Sequence, residues 1–448
     1  MANDGARREA SGLLASLGLN RPELRAWAMY DWANSAMMTT IVAAVFPVYF
    51  QRVAASGLDP TTAVQHYAVA TTVSILLVAV LAPLLGAIAD ALPLKKKLLF
   101  LFMSIGVFST ALMFFVGHGN WVFALLLFVG SDVGACGSLI FYDALLRHIA
   151  GDEEIDRVSA AGYALGYIGG GVLLAANIAW IQFPSWFGLP SGENLSPFEA
   201  TLPTRLAFLS VAIWWFVFSM PLFRKVPEPP AEHEELPLGT LLRSAGGRLL
   251  ETFSQLRDHR QAILMLAAFL LYNDGIGTII RLAVIYGAEV GIEGGSLIVS
   301  ILVVQFVGIP FAFLFGAAGS RIGAKRAILF GIAVYLGIAV LAFQMKTATH
   351  FFVLAVLVGT VQGGTQALSR SLFASMIPKQ KSTEFFALFS VSEKFAGILG
   401  PALFALIVHQ TGSSRYGILS VISFFILGGG LLFFVNVDEG RRSAKPST

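Results

Sequence analysis

Twelve long apolar stretches constrain what this chain can fold into more than any other feature of its sequence. Crossing the hydrocarbon core of a bilayer takes about 20 consecutive apolar residues in an α-helix. Strands of a transmembrane barrel would alternate polar and apolar residues, and these stretches do not. The sequence therefore predicts an all-α membrane protein. Its twelve transmembrane helices are predicted at about residues 26–50, 67–89, 98–116, 121–146, 158–182, 205–223, 262–287, 296–316, 327–345, 351–376, 384–409 and 416–437.

The composition agrees with a lipid environment. Only 13% of the 448 residues are charged, whereas soluble domains contain about 25%. The chain has 45 glycines, and glycine is more frequent in membrane helices than in soluble ones. Cys136 is the single cysteine, which excludes an intrachain disulfide. The net charge of +3 is small, and we expect no nucleic-acid partner.

The distribution of Lys and Arg predicts the orientation in the membrane. Of the 30 basic residues, 23 lie in segments on the side of the N-terminus. Four lie on the opposite side, namely Arg52, Arg205, Lys346 and Arg415. Because cytoplasmic loops carry an excess of Lys and Arg, both termini are predicted to be cytoplasmic. Residues 1–25 are polar and lack the apolar core of a cleavable signal peptide.

The chain is predicted to consist of two related halves. "GAIADALPLKKK" (86–97) follows the second stretch, and "GAAGSRIGAKRA" (316–327) follows the eighth. "YDWAN" (30–34) in the first stretch matches "YNDG" (272–275) in the seventh. Parallel repeats of this kind place a substrate site between the halves, near mid-membrane.

The longest polar segment divides these halves. Its apolar residues between Leu238 and Leu256 have near-helical spacing, which predicts an amphipathic helix on the membrane surface; a plain connector is the alternative. The predicted divisions are an N-terminal tail (1–25), an N-terminal six-helix half (26–223), a cytoplasmic linker (224–261), a C-terminal six-helix half (262–437) and a C-terminal tail (438–448).

Two six-helix halves, each with a basic loop after its second helix, resemble the major facilitator superfamily. Its loop pattern is Gly-x-x-x-Asp-Arg-x-Gly-x-Lys/Arg. The first copy keeps Gly86, Asp90 and Lys95 but has Ala91 and Pro93 where Arg and Gly are usual. The second copy has Ser320 in place of Asp and keeps Gly316, Arg321, Gly323 and Lys325.

Five strings resemble the autophagy-related vacuolar amino-acid effluxer family and its bacterial relatives. They are "YDWANSA" (30–36), "FYDALL" (141–146), "GYALGYIGGG" (162–171), "YNDG" (272–275) and "QGGTQALSRSLFASMIP" (362–378). The resemblance covers about residues 26–437 and implies the major facilitator fold. Fungal relatives are associated with amino-acid efflux from the vacuole. The resemblance therefore implies a transporter of the bacterial inner membrane, and we expect a monomer.

Polar residues within predicted spans are candidates for the transport path. A charge at mid-bilayer costs at least about 2.5–3.5 kcal/mol and needs a partner, water or a proton. Asp31 and Asn34 share one face of the first helix, and Asn273 and Asp274 hold the corresponding place in the seventh. These two helices line the central cavity in the superfamily. We therefore predict that both aspartates face the path, where burial makes either carboxyl group a candidate proton carrier. The alternative is a structural hydrogen bond or a helix break.

Two arginines within predicted spans are candidates for substrate binding. Arg281 lies seven residues after Asp274, on nearly the same helix face, and Arg370 lies in the tenth helix. A guanidinium group can hold a carboxylate with two hydrogen bonds, which suits amino-acid or other anionic substrates. The alternative is an intramembrane ion pair with Asp274, Asp132 or Glu393.

Further charges in the fourth and eleventh helices suggest ion pairs. Asp132 and Asp143 are eleven residues apart and share a helix face, whereas Glu393 and Lys394 are adjacent and point in different directions. These charges predict either a lattice of ion pairs that rearranges between inward-open and outward-open states or a static one.

The superfamily's cytoplasmic gate predicts a second group of functional residues. An ion pair between Asp90 and Lys95 would favour the outward-open state. The alternative is that the positive charges only set the topology. The predicted gate residues are Gly86, Asp90, Lys95, Asp143, Arg147, Gly316, Arg321 and Lys325.

We predict secondary transport by alternating access, with export of a small polar solute such as an amino acid and with proton coupling. The sequence contains no metal-ligand spacing of His, Cys and carboxylates and no Gly-x-x-x-x-Gly-Lys-Ser/Thr loop, so we expect no enzyme activity, no cofactor and no bound metal. A lipid or amphiphile translocator, or a membrane sensor that transports nothing, remains an alternative on the same fold. A lipid cargo predicts an apolar cavity that opens sideways, and a solute predicts an enclosed polar one.

Overall fold

The computed structural model describes residues 12, 14–230, 259–289, 292, 294–395 and 399–444. The regular structure in this part of the chain is entirely helical. The amphipathic helix predicted in the linker falls outside the described residues. The helices are α1 (Pro22–Ala54), α2 (Pro60–Ala91), α3 (Lys95–Leu112), α4 (Trp121–Ile149), α5 (Ile155–Gln182), α6 (Pro197–Lys225), α7 (Arg260–Glu289), α8 (Gly294–Ile322), α9 (Ala324–Phe343), α10 (Ala348–Ser375), α11 (Ser382–Phe395), α12 (Leu399–Thr411), α13 (Ser414–Ser420), α14 (Ile422–Phe434) and α15 (Val437–Ser443).

Eleven helical segments within the described ranges are long and apolar enough to cross a membrane, with mean hydropathy values between 1.4 and 2.5. They correspond to the first ten predicted stretches and to the twelfth, which α13 and α14 form together. The eleventh stretch, 384–409, corresponds to α11 and α12 on either side of residues 396–398, which lie outside the described residues.

The outer surface of the bundle carries large apolar side chains. Val69 is 62% exposed, and Phe108, Leu126 and Phe433 are each 66% exposed. Such exposure would favour aggregation in water, but lipid tails are as apolar as these side chains. The interior instead holds the buried charged residues described below.

The first helix is irregular where the sequence predicted a regular span. Residues Met37–Val45 of α1 form π-helical turns, and the N–H of Phe46 donates to the carbonyl of Ile41, five residues back. Pro47 has no N–H to give to the preceding turn, which favours this wider winding. Turns of this kind are frequent at functional sites, and this one begins six residues after Asp31.

Close packing of α1 against α5 depends on glycines. A Cβ atom at Gly169 would lie 2.3 Å from the carbonyl oxygen of Trp32, and one at Gly166 would lie 2.6 Å from Ser35 Oγ. Small residues at such a contact let two membrane helices approach each other closely. The approach brings Asp31 of α1 against the start of α5.

The two copies of the basic loop dock crosswise between the halves. Asp90, at the end of α2, contacts Thr383 and Glu384 at the start of α11. Ser320, which replaces this aspartate in the second copy, accepts a 3.1 Å hydrogen bond from Arg157 at the start of α5. Each copy therefore contacts the start of the fifth helix of the opposite half. We call this end of the bundle the basic end.

Candidate functional site

A buried ion-pair cluster lies between the two halves, centred on Arg370 of α10. Its Nη1 atom lies 3.2 Å from Asp31 Oδ2 of α1 and 3.0 Å from Asp143 Oδ1 of α4. The arginine side chain is 4% exposed, whereas those of Asp31 and Asp143 are 13% and 15% exposed. One side chain of the second half is thus held by two carboxylates of the first half.

Every hydrogen-bond donor of Arg370 is engaged. Nε donates to Ser159 Oγ at 2.9 Å, and Nη2 donates to the carbonyl oxygen of Ser159 at 2.9 Å. Nη1 donates to both aspartates, and Nη2 also lies 3.3 Å from Asp31 Oδ2. Since a guanidinium group has five N–H bonds, a carboxylate ligand can bind it only by displacing one of these partners.

Three aromatic rings surround the guanidinium group of Arg370. Its carbon atom lies 4.6 Å from the ring centre of Tyr163, 4.9 Å from that of Trp27 and 5.6 Å from that of Tyr142. The hydroxyl group of Tyr142 also donates a 2.8 Å hydrogen bond to Asp31. Aromatic faces attract a desolvated cation, so the rings offset part of the cost of burying Arg370.

A glycine of α5 leaves the space that this cluster occupies. A Cβ atom at Gly162 would lie 2.6 Å from Asp31 Oδ2 and 3.0 Å from both Arg370 Nη2 and the ring of Trp27. The ion pair therefore occupies the space that a side chain at Gly162 would need. A side chain at this position would have to displace one of the charged groups.

We expect Gly162→Ala to disrupt this cluster. The added methyl group displaces Asp31 or Arg370, and overpacking of this kind costs about 1–3 kcal/mol. Thermal unfolding in detergent and solute flux in proteoliposomes measure the effect, and we expect both to fall. Gly337→Ala is the matched control, because a Cβ atom there meets nothing within 4 Å. Equal behaviour of the two variants would contradict this account of the cluster.

The cluster contains more carboxyl groups than guanidinium groups. Asp31 and Asp143 supply two carboxyl groups to the single guanidinium group of Arg370. Glu393 of α11, a further acidic residue predicted for the path, is half-buried. A surplus of buried carboxylate is costly unless a cation, a proton or water compensates it.

The structure places Asp274, which was predicted to line the path together with Arg370, against the start of α12. Asp274 of α7 is fully buried, and its Oδ2 atom accepts a 2.8 Å hydrogen bond from the N–H of Gly400. Gly400 lies at the start of α12, where backbone N–H groups lack helical partners. The neighbouring Asn273 accepts a 3.4 Å hydrogen bond from Gln366 of α10.

Of the remaining predicted path residues, two are buried within the described part of the chain and two lie outside the described side chains. Asn34 is 2% exposed and Asp132 is 8% exposed. The thiol of Cys136 lies 3.6 Å from Asp132 Oδ1. The side chains of Arg281 and Lys394 lie outside the described part of the chain, so their place in the path stays a prediction.

The first copy of the basic loop contains a buried ion pair. Asp90 Oδ1 lies 2.6 Å from Lys95 Nζ, and the two residues are 5% and 3% exposed. The same carboxylate accepts 2.8 Å and 2.9 Å hydrogen bonds from Thr383 Oγ1 and the N–H of Glu384. Next to it, a Cβ atom at Gly86 would lie 3.1 Å from the carbonyl oxygen of Thr383. The pair thus joins α2 to the start of α11.

Two predicted gate residues of the fourth helix have other partners. Asp143 contacts Arg370 rather than the loop, because Arg370 crosses from α10 into the first half. Arg147 lies 2.6 Å from Asp152, which follows it by five residues. Neither contact involves Asp90 or Lys95.

In the second copy of the loop, Lys325 takes a different role from Lys95. Its Nζ atom donates to the carbonyl oxygens of Phe433 and Val435 at the end of α14. Arg321 is exposed, and a Cβ atom at Gly316 would lie 2.5 Å from the side chain of Ala160 on α5. Ser320 provides no carboxylate that could hold the lysine.

Sequence reasoning did not select several residues that form the cluster. Tyr142 and Tyr163 lie within the strings "FYDALL" and "GYALGYIGGG", so the family resemblance contained a usable signal. Ser159 and Trp27 lie outside the quoted strings and carried no such signal. The contact between Ser371 and Asp156, 2.5 Å across the halves, was also missed.

Metal binding has no candidate site among the described residues. No group of three or more His, Cys, Asp and Glu side chains in this part of the chain is placed to hold an ion. The chemistry of the cluster is therefore ionic, with one guanidinium group shared by two carboxylates.

Comparison with known proteins relates the chain to membrane transporters. The sequence profile described as "Vacuole effluxer Atg22 like" matches residues 19–445. The uncharacterized MFS-type transporter YxiO of Bacillus subtilis (strain 168) is 36% identical over 410 residues, 91% of this chain and 94% of its own length. Autophagy-related protein 22 of Yarrowia lipolytica is 30% identical over 319 residues, and the match covers 64% of this chain but only 52% of that protein.

Solved structures support the fold. The major facilitator proton:xylose symporter XylE aligns over 97% of this chain and 100% of its own, with a TM-score of 0.67 at 15% identity. The predicted fold class, an all-α membrane protein with the major facilitator fold, is confirmed, and so is the predicted family. The chain is a membrane-spanning protein that belongs to the vacuole effluxer Atg22-like family of major facilitator transporters.

Proposed function

We propose that this chain is a secondary active transporter that exports a small polar solute such as an amino acid by alternating access, with coupling to protons. The observation that carries the proposal is the Arg370 cluster. It combines a buried cation from one half with two carboxylates from the other, within the membrane and between the halves.

Solute binding is proposed to proceed by exchange of partners at Arg370. All five donors of the guanidinium group are engaged in this conformation. A carboxylate-bearing solute would compete with Asp31 and Asp143 for the same N–H groups, since bidentate arginine–carboxylate pairing is strong. Each exchange loosens the connection between α10 and the first half, which links binding to the movement of the halves.

Proton coupling is proposed to use the surplus carboxylates. When a solute takes Arg370, Asp31 and Asp143 lose their counter-charge in a poorly solvated place. Protonation is the usual way in which a buried, unpaired carboxylate is neutralised. Solute binding and proton binding would then favour each other.

We further propose that the basic end faces the cytoplasm and closes through Asp90 and Lys95. The contacts of Asp90 with Thr383 and Glu384 would then seal the cytoplasmic side in this conformation. The excess of Lys and Arg at this end supports this orientation, and the bacterial relative supports the inner membrane. The division into halves at residues 223 and 262 is part of the same proposal.

A lipid or amphiphile translocator is the alternative, and the mainly apolar cavity among α7, α8, α9 and α10 favours it. A lipid cargo requires an apolar route between the halves, whereas the described contact between them contains Arg370, Asp31, Asp143 and Asp156. A membrane sensor that transports nothing would need no exchange of partners at Arg370. The test is therefore a measurement of flux.

Proteoliposome flux over a panel of amino acids, with and without a pH gradient, tests this function. One pH unit corresponds to about 1.4 kcal/mol per proton and sustains about a tenfold solute gradient at one-to-one coupling. We expect the wild type to build such a gradient for at least one amino acid. Asp31→Asn combined with Asp143→Asn should remove the dependence on pH, because neither amide can bind the proton.

Asp438→Asn removes an exposed carboxylate at the basic end and should leave the coupling unchanged. Asp274→Asn tests whether the second predicted carboxylate takes part, since its hydrogen bond from Gly400 survives in the amide. Flux without any dependence on the pH gradient would rule out proton coupling, and no flux of any amino acid would rule out the proposed cargo.

A further inference from the structure

Arg205 of α6 is a buried cation near the end of the bundle opposite the basic end. Only 7% of the residue is exposed, and it follows the start of its helix at Pro197 by eight residues. Within the described ranges, Arg205 forms no ion pair with a carboxylate. Its Nε atom has no hydrogen-bond partner among the same residues. Because a buried charge is costly unless it is paired, the guanidinium group requires an anion.

The described contacts of Arg205 involve neutral groups. Its guanidinium carbon lies 4.7 Å from the ring centre of Phe198. The hydroxyl group of Tyr49 on α1 is also close to Arg205, and it donates a 2.6 Å hydrogen bond to the carbonyl oxygen of Val116. An aromatic face attracts a cation and a phenol oxygen can accept a hydrogen bond, but neither group supplies a negative charge.

A second N–H donor meets Arg205 at the turn between α3 and α4. Arg205 Nη2 and Asn120 Nδ2 lie 3.7 Å and 3.6 Å from the position that a Cβ atom would take at Gly117. Apart from Gly117 and its two chain neighbours, no other atom of the described residues lies within 4 Å of that position. Two donors therefore border one open position.

Asn120 also places this position beside the start of a helix. It directly precedes α4, is exposed, and makes no side-chain capping hydrogen bond to the helix. The first backbone N–H groups of a helix lack helical partners and favour negative charge. A guanidinium group, an amide and a helix start are the donors that bind oxyanions such as phosphate and carboxylate groups.

Exposed aromatic side chains surround this end of the bundle. Phe115 is 65% exposed, Phe198 is 48% exposed, and Trp186 in the turn between α5 and α6 is 77% exposed. Aromatic belts of this kind lie at the level of the lipid head groups. Phe198 packs on Arg205 and contacts Phe114 at the end of α3 edge-on. The oxyanion that phospholipids present at this level is their phosphate group.

We propose that Arg205, Asn120 and the turn at Gly117 form a binding site for the phosphate group of a phospholipid, in the leaflet opposite the basic end. The guanidinium group supplies the charge, and the amide of Asn120 supplies a second donor. Phe115 and Phe198 contact the acyl chains next to the head group. The lipid thereby provides the counter-charge that the described part of the chain does not.

Thermal unfolding of the purified, delipidated full-length chain in detergent tests this site. The probes are dioleoyl phosphatidylglycerol, dioleoylglycerol, which has the same acyl chains without phosphate, and inorganic phosphate. We expect a saturable rise in unfolding temperature with phosphatidylglycerol only, and a complex of one lipid per chain in native mass spectrometry. An equal rise with dioleoylglycerol would overturn the phosphate as the bound group, and an equal rise with inorganic phosphate would overturn the lipid as its source.

Arg205→Gln distinguishes lipid binding from a purely structural role. Without lipid, the variant lacks an unpaired buried charge and should unfold at a temperature at least as high as the wild type. With phosphatidylglycerol, the wild type should become the more stable, because the variant loses about tenfold or more in affinity with its charge-assisted hydrogen bonds. Lys346→Gln, at an exposed position of the same end, is the matched control. Equal destabilisation of Arg205→Gln with and without lipid would overturn the site.

Gly117→Ala tests where the phosphate group binds. The added methyl group occupies the position between the two donors at ordinary contact distances, so the fold should tolerate it while the phosphate group is displaced. We expect wild-type unfolding without lipid and about tenfold weaker lipid binding, the worth of one charge-assisted hydrogen bond. Gly57→Ala is the matched control, because a Cβ atom there meets nothing within 4 Å. Equal lipid binding by these two variants would overturn the placement. None of these outcomes depends on transport.

Discussion

Replacement of Arg370 by Gln is expected to abolish transport and to destabilise the protein. The substitution leaves Asp31 and Asp143 with no counter-charge in a site where the arginine is only 4% exposed. Removing one partner of a buried ion pair costs about 3–5 kcal/mol, and a loss of 3 kcal/mol at a binding step lowers flux about a hundredfold. Arg370→Lys should fail as well, because an ammonium group cannot reproduce the fork of donors that reaches both aspartates and Ser159.

A charge-free variant separates stability from function at this site. Arg370→Gln combined with Asp31→Asn and Asp143→Asn contains no buried charge in the cluster, so we expect thermal unfolding to recover most of the way to the wild type. Transport should stay absent, because no guanidinium group is present to exchange partners. Arg326→Gln, at an exposed position of the basic end, is the matched control. Wild-type flux in Arg370→Gln would refute the proposed role of the cluster.

Replacement of Asp90 by Asn should open the basic end. Lys95 is 3% exposed and would be left without its carboxylate, and α2 would lose the charged acceptor that holds the start of α11. An isolated buried charge costs about 3–5 kcal/mol. A shift of this size is enough to move a conformational equilibrium in which the minor state lies a few kcal/mol higher. The conformation in which the basic end is closed should therefore no longer be the most populated one.

Cysteine labelling measures this opening. Cys136 is buried and is the chain's single cysteine, so Cys136→Ser provides a cysteine-free background. Ser382 is fully buried and contacts His148 across the halves, and Ser382→Cys is therefore a reporter of this contact. We expect Asp90→Asn to raise the rate of maleimide labelling at least about tenfold, in line with the shift in population. Asp438→Asn, at the same end, should have no effect. An unchanged labelling rate in Asp90→Asn would contradict the proposal that the basic end closes through Asp90 and Lys95.

Much of the candidate site was accessible from short strings of sequence. "YDWANSA", "FYDALL", "GYALGYIGGG" and the string that contains Arg370 come together in the structure, although they lie in four different helices. Their residues Asp31, Tyr142, Asp143, Gly162 and Arg370 form one cluster. The resemblance to the family identified the strings that contain these five residues, but not Ser159 or Trp27 and not which side chains pair.

The ion-pair partners of Arg370 could not be derived from the sequence. They depend on how each helix is oriented about its own axis and on how the two halves pack together. As the alternative to substrate binding, the sequence analysis named Asp274, Asp132 or Glu393 as an ion-pair partner of Arg370, and the partners it contacts are Asp31 and Asp143. Asp31 and Arg370 are 339 residues apart in sequence. A rotation of α10 by one residue, about 100°, would have presented a different side chain to the first half.

Asp274 illustrates the same limit. The sequence placed it on the seventh helix as the counterpart of Asp31, but helical geometry does not predict which group its carboxylate contacts. The structure shows its carboxylate at the start of α12, where it accepts a hydrogen bond from the backbone of Gly400. This contact joins two residues that are 126 positions apart in the chain, so no local sequence pattern predicts it.

The sequence by itself determined the long apolar stretches, the two copies of the basic loop and the family. These properties are local: hydropathy along one helix decides whether it can cross a membrane, and a repeated loop can be recognised without its surroundings. Only the tertiary structure decided that Arg370 joins the halves through Asp31 and Asp143, that Asp90 holds the start of α11, and that an apolar cavity remains inside the second half. Each of these depends on contacts between distant helices, and the energy of a buried charge or a cavity is set by neighbours that the order of residues does not reveal.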